Sequence, residues 1–263
     1  MVKEIISIYK YRELLYQLTL REIKSRYKQS ILGYFWVIFN PLAQMIVMSY
    51  AFSIILKVPT NATSNIHYSV FLFTALLPWN LFANSLTSAS NSLVTNSGLL
   101  TKIYFPRTIL PISTILAKIV DFLFASLIYI IYMLWYQIPI NFSVLWVIPI
   151  FIIQLIFTTG LSLFLSATNL LYRDIQYLLG LILTLWIYVT PVFYPADLIP
   201  AKARFIFQFN PMAVIINAYR QAILAGGSPN MTSLWIALVV SCTTLLLGLA
   251  YFKQQEKTFS DNV

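Results

Sequence analysis

Residues 122–172 read FLFASLIYIIYMLWYQIPINFSVLWVIPIFIIQLIFTTGLSLFLSATNLLY, without one charged side chain from end to end. A hydrocarbon core ~30 Å thick is crossed by about 20 apolar residues in a helix, so this run is long enough to cross twice. The break falls at Gln137-Ile138-Pro139, because proline lacks the backbone N–H a continuing helix needs. Outward from it, residues 29–56, 58–101, 175–196 and 221–252 are also charge-free, and each is long enough for at least one span. The whole chain of 263 residues is 59% hydrophobic and only 10% charged. Soluble domains are about 25% charged, so an ordinary soluble enzyme is excluded and an all-α polytopic membrane protein is expected.

Six spans are expected, over residues 31–56, 68–95, 108–136, 142–171, 175–194 and 233–252. Asn40-Pro41 predicts a kink in the first. In the second, Asn80, Asn84, Ser88, Asn91 and Thr95 recur every three or four residues, a polar stripe that in lipid must face other helices or water. Lys118 and Asp121 in the third are three apart and can pair on one face. Between spans five and six, Pro191, Pro195 and Pro200 punctuate the chain. Asn210 as N-cap, Pro211 at the first helical position and Gly226-Gly227 as terminator then frame a helix of about 15 residues, too short to span. It is expected to dip into the bilayer edge or cap the bundle.

Residues 4–28 alternate charged and apolar side chains at helical spacing, with Tyr9, Tyr16, Leu20, Ile23 and Tyr27 on one stripe and Arg21, Lys24 and Lys28 beside it, which predicts an interfacial helix. No short apolar core with a small-residue cleavage site follows, so no signal peptide is expected to be removed. The net charge of +9 points to anionic lipid or anionic cargo, with nucleic acid the weaker reading. Counting Lys and Arg puts the N-terminal arm, the loop around Lys102 and Arg107, Arg173 and the tail on one side. Lys57, Lys202, Arg204 and Arg220 fall on the other, so both termini are expected to be cytoplasmic.

Reactive chemistry is thinly supplied. His67, the only histidine, falls in a loop; Asp121 has no second carboxylate within the spans; Cys242, the only cysteine, lies in an apolar run, so neither an intrachain disulfide nor a cysteine metal site can form. No Gly-x-x-x-x-Gly-Lys-[Ser/Thr] is present, so any ATP dependence must come from a partner. The most informative loop is residues 98–107, GLLTKIYFPR, which sets two aromatics, a lysine and an arginine on a connection expected to be cytoplasmic, a candidate protein-docking surface.

That loop, LLTKIYFPRTILP, with SRYKQSILGYFWVIFNP at residues 25–41, LYRDI at 171–175, TPVFYP at 190–195 and FNPM at 209–212, resembles the permease subunit of ABC-2-type polysaccharide exporters, which serve O-antigen, capsule or wall teichoic acid export. The likeness runs from about Tyr11 to Phe252 and departs from the usual pattern at Thr108, where many members carry Glu. The resemblance implies a homodimer in the bacterial inner membrane, each subunit bound to a separate ATP-binding subunit that holds ATP and Mg, with no cofactor on this chain. It implies a cytoplasmic interface helix at residues 1–30, a transmembrane domain at 31–252, an external gate segment at about 197–226 and a cytoplasmic tail at 253–263. It also implies a coupling helix at about 98–107, in which Leu99, Leu100, Lys102, Ile103, Tyr104, Phe105, Pro106 and Arg107 meet the ATPase, joined by Arg173 and Asp174.

The expected cargo is a polyprenyl-diphosphate-linked polysaccharide. Its channel needs aromatic faces for sugar rings and amides or hydroxyls for hydrogen bonds, for which Tyr34, Phe35, Trp36, Phe39, Asn80, Asn84, Ser88, Asn91, Trp186, Tyr188, Phe193 and Tyr194 are candidates. Arg21, Lys24, Arg26 and Lys28 are placed to hold the lipid diphosphate at the cytoplasmic leaflet. Three rivals remain open here: an ABC-2 permease for a drug or small lipid, a proton-coupled secondary transporter, and an integral membrane transferase.

Overall fold

The computed structural model describes residues 2–27, 33, 35–55, 67–100, 104–200 and 207–259, with the backbone alone described for residues 2–5, 26 and 27. Among the described residues the regular structure is all helical, as expected where lipid offers backbone groups no partner. Two short helices, α1 (Val2–Lys10) and α2 (Arg12–Tyr27), precede α3 (Phe35–Ser49), which runs on into a π-helical turn, Tyr50–Ile55. Then come α4 (Tyr68–Thr95), the single turn α5 (Ser97–Leu100), α6 (Ile109–Trp135), α7 (Val147–Leu171) after a 3-10 turn at Phe142–Trp146, α8 (Ile175–Val189), α9 (Pro211–Ile223) and α10 (Met231–Glu256).

Five of these segments are long and apolar enough to cross a membrane, namely Phe35–Ile55, Tyr68–Thr95, Ile109–Trp135, Phe142–Leu171 and Met231–Glu256. The chain is a multi-pass membrane protein. The fifth span expected from sequence, residues 175–194, is shorter as a helix: α8 has 15 residues and reaches about 22 Å before the chain turns off at Thr190.

Helix α4 is the axis of the bundle, packed against α3, α6, α7, α8 and α9, and every residue from Tyr68 to Trp79 is buried. Pro78 sits inside α4 without ending it. Buried Gln154 of α7 donates to the Pro78 carbonyl at 2.7 Å and accepts from Tyr219 Oη of α9 at 3.1 Å, tying three helices together. Helices α7 and α10 meet at two glycines. A Cβ on Gly160 would stand 2.6 Å from the Leu245 backbone nitrogen, and one on Gly248 would collide with the Gly160 carbonyl, so the backbones touch as small-residue crossings in membranes allow.

Helix α3 and the π-helical turn after it are the loosest part, with Ile46, Val47, Tyr50, Ile54 and Ile55 all exposed in the single chain. Pro41 lies within it without interrupting it. Helix α2 packs against α6, burying Leu18 and Ile23. Tyr9 and Tyr16, placed with Ile23 on one stripe by spacing alone, are 69% and 60% exposed, so the inward face is carried by Leu18 and Ile23 with Leu14 and Leu15 half-buried beside them.

Candidate transport path and coupling surface

A half-open groove of ≈ 470 Å³ lies between α3, α4 and α6, lined by Trp36, Asn40, Gln44, Asn80, Asn84, Lys118 and Asp121 among others. Asn80 is twelve residues from the start of α4 and fifteen from its end, about 18 Å and about 22 Å along the axis, which sets the groove near the middle of this long apolar helix. Asn80 Nδ2 donates to Gln44 Oε1 at 3.0 Å, and Lys118 Nζ stands 3.8 Å from Asp121 Oδ2, the pairing that their spacing predicts. From the groove an uncharged polar face continues along α4: Asn84, Thr87 and Thr95 are exposed and Ser88 is half-buried. Asn91 leaves this face for packing, since its Oδ1 accepts from buried Asn169 of α7 at 3.1 Å. Asn169 Nδ2 also reaches the Ser90 carbonyl at 3.0 Å, and its Oδ1 accepts from the Gln176 N–H at 3.1 Å, capping the start of α8.

The aromatic candidates divide. Phe35, Trp36 and Phe39 are exposed, Phe39 meeting each of the other two at a 5.6 Å centroid separation, and Tyr188 is exposed as well. Trp186 is half-buried, edge-on to Phe82 at 5.3 Å, with its indole N–H donated to Asn210 Oδ1 at 3.3 Å. Phe193 corrects the expectation most clearly: it is 2% exposed and stacked on Phe52 at 4.9 Å, so its ring packs the core and offers no face to cargo. Tyr194 is half-buried and donates to the Tyr188 carbonyl at 2.9 Å. Tyr34 lies outside the described residues.

The break after α8 exposes four successive carbonyls, and all four are taken. Arg220 of α9 donates to those of Pro191 and Val192 at 2.6 Å and Tyr194 at 3.4 Å, while Tyr68 Oη donates to that of Phe193 at 2.6 Å. The Arg220 guanidinium also lies 3.6 Å from the Phe71 ring centroid. Burial pulls its pKa down to about 9, so it is still a cation at neutral pH. Charge counting set Arg220 with the bases of the far side; its side chain is buried at 6% exposure and pins α9 to the end of α8. Asn210 takes the N-cap position of α9 but makes no side-chain cap bond, and its Nδ2 donates to Thr190 Oγ1 at 3.1 Å.

At the opposite end of the bundle the segment expected to couple to an ATPase is partly a turn of helix, Ser97–Leu100, and partly irregular. Leu99 is half-buried and Leu100 buried, Tyr104 projects at 94% exposure, and Phe105 is buried with Leu18, Leu100, Ile109, Phe252 and Phe259. Two exposed aromatics were expected here; one projects and one anchors. Pro106 is half-buried, and Arg107 folds onto the tail, its N–H 3.4 Å from Glu256 Oε1, its Nη1 on the Glu256 carbonyl and its guanidinium 5.7 Å from the Phe259 ring centroid. Residues 253–259 are therefore more than a polar tail, because Phe259 is fully buried beneath the loop. Thr108 is buried as well, with no partner for its hydroxyl.

Arg173 and Asp174 are exposed at the turn between α7 and α8 on this same end. Arg21 Nη2 is bonded to Asn96 Oδ1 and Lys24 is exposed; the Arg26 side chain, Lys28, Lys102 and Ile103 lie outside the described residues. Among the described residues no group of three His, Cys, Asp or Glu side chains is placed to hold a metal ion.

The sequence profile of the family described as "ABC-2 type transporter" matches residues 13–224. The chain belongs to the ABC-2 type transporter family. Among its ABC-2 relatives, an O-antigen export system permease protein RfbA of Klebsiella pneumoniae is 33% identical over 250 residues, 95% of this chain and 94% of that one. A protein of the same name from Myxococcus xanthus is 30% identical over 267 residues, the full length of both. The polysialic acid transport protein KpsM of Escherichia coli is 25% identical over 248 residues, 91% of this chain and 92% of that one.

Proposed function

We propose that this chain is the membrane-spanning permease subunit of a bacterial exporter that moves lipid-linked polysaccharide across the inner membrane, driven by a separate ATP-binding subunit. The observation that carries the proposal is the uncharged polar face of α4. It runs from Asn80, near the middle of the helix, to Thr95 and stands open on the single chain. Exposed amides in hydrocarbon are costly, so the face belongs against water, cargo or a second copy. The names of the long-matching relatives favour glycan over a drug or small lipid.

In this reading two copies bring their α4 faces and the exposed aromatics of α3 together around a path. The sixth crossing is made by α8 and the turn after it. The end that carries Arg12, Arg21, Arg107, Arg173 and Lys253 is cytoplasmic, in keeping with the excess of Lys and Arg there. Tyr104 and the Arg173-Asp174 turn project from that end toward the ATPase, which binds ATP and Mg; no cofactor sits on this chain. Exposed Lys24, with Arg21, stands where a lipid diphosphate arrives. Closure of the ATPase pair displaces the coupling segment, and the α9 unit at the far end opens the exit. Deletion of the gene tests this: lipid-linked glycan is expected to accumulate on the cytoplasmic side, and unchanged surface glycan without accumulation contradicts it.

A further inference from the structure

Resting on the exporter reading above, we infer that the repeating units of the cargo are uncharged: the path accepts a neutral, hydroxyl-rich polymer and discriminates against a polyanionic one. Helices α3, α4 and α8 contain no charged residue at all. On the groove, among the described residues, the only charges are Lys118 and Asp121, opposite in sign, 3.8 Å apart and roughly four-fifths buried. The other polar groups are amides, Asn40, Gln44, Asn80 and Asn84, and Trp36 adds a 40% exposed ring.

Amides donate and accept, and a ring face takes the apolar side of a pyranose, so the lining matches sugar hydroxyls without any net charge. A polymer with a carboxylate or phosphate in each repeat would bring a row of anions to a groove where, among the described residues, the one cation is Lys118, already paired with Asp121. Burying a charge there is costly unless it is paired, and paths that carry anions are ringed by Arg or Lys. Lys118 does not meet that need, because an entering anion would have to compete with the Asp121 carboxylate and be repelled by it. The +9 of the chain is placed elsewhere, mostly in the N-terminal arm and the turns at the same end, where it meets the lipid head group and not the sugar track.

The test uses proteoliposomes of the full chain with its ATP-binding subunit. They are loaded with undecaprenyl-diphosphate-linked mannan oligosaccharide or with undecaprenyl-diphosphate-linked oligosialic acid of equal length, and ATP-dependent transfer is measured. The mannan chain is expected to transfer faster by about tenfold or more, since each unpaired buried charge adds at least that factor. Asp121→Asn, which removes the carboxylate charge beside Lys118, is expected to narrow the ratio several-fold. Should the variant fail to insert, the comparison on the unaltered chain decides alone. Equal transfer, or faster oligosialic acid, overturns the inference and leaves the exporter reading standing. No ATP-dependent transfer of either chain overturns the exporter reading and the inference with it.

Discussion

Arg220 reaches across the chain to carbonyls 26 to 29 residues earlier, and its removal leaves those of Pro191 and Val192 unpaired in an apolar setting. Arg220→Leu is expected to destabilise the fold by about 3 kcal/mol, since a buried group stripped of a charged partner loses roughly that much. Thermal unfolding in detergent checks it, with Arg220→Lys falling between the two because one ammonium cannot serve three carbonyls in a planar fork. Nothing near Arg220 in the sequence marks it as buried: its carbonyl partners are main-chain groups, which carry no residue signature. Phe105 and Tyr104 pose the same difficulty. Two neighbouring aromatics before a proline read alike, and only the arrival of Phe259 from the far end of the chain decides that one is covered and the other projects.

Among the elements, charge-free length and the prolines Pro139 and Pro211 made α4, α6, α7 and α9 legible to within a few residues, because hydrocarbon demands continuous helices and Pro211 takes the first position of α9. Helix α8 was overdrawn, since residues 190–194 continue the charge-free run, but Pro191 has no N–H to carry the helix on and Arg220 and Tyr68 take the carbonyls that follow. The α7–α10 crossing yields a second prediction. Gly248→Leu forces side-chain volume into a backbone contact and is expected to cost about 1–3 kcal/mol or to separate the two helices, seen as a lower thermal midpoint. A third concerns the tail. Phe259→Ala opens a cavity beneath the loop worth about 3 kcal/mol of local packing. Amide exchange in residues 104–107 is expected to quicken and ATPase copurification to fall, while exchange in α4 and α7 stays as it was.

For the whole molecule, the uneven charge distribution divides the labour. The basic arm, the Arg107–tail clamp and the Arg173 turn gather at one end, the middle is apolar with an amide-lined groove, and at the opposite end buried Arg220, with Tyr68 and Asn210, ties α9 and α4 to the turn after α8. The groove was half legible: the recurrence of Asn80, Asn84, Ser88 and Asn91 announced a polar face, but periodicity could not separate the part that lines space from Asn91, which binds Asn169. The claim that this chain works with a separate ATPase is tested most directly by affinity purification of the tagged full chain from native membranes in mild detergent, followed by an ATPase assay. Equimolar recovery of an ABC ATP-binding subunit, with ATP hydrolysis raised by lipid-linked glycan, is the predicted result. A lone chain that moves glycan without ATP would contradict it.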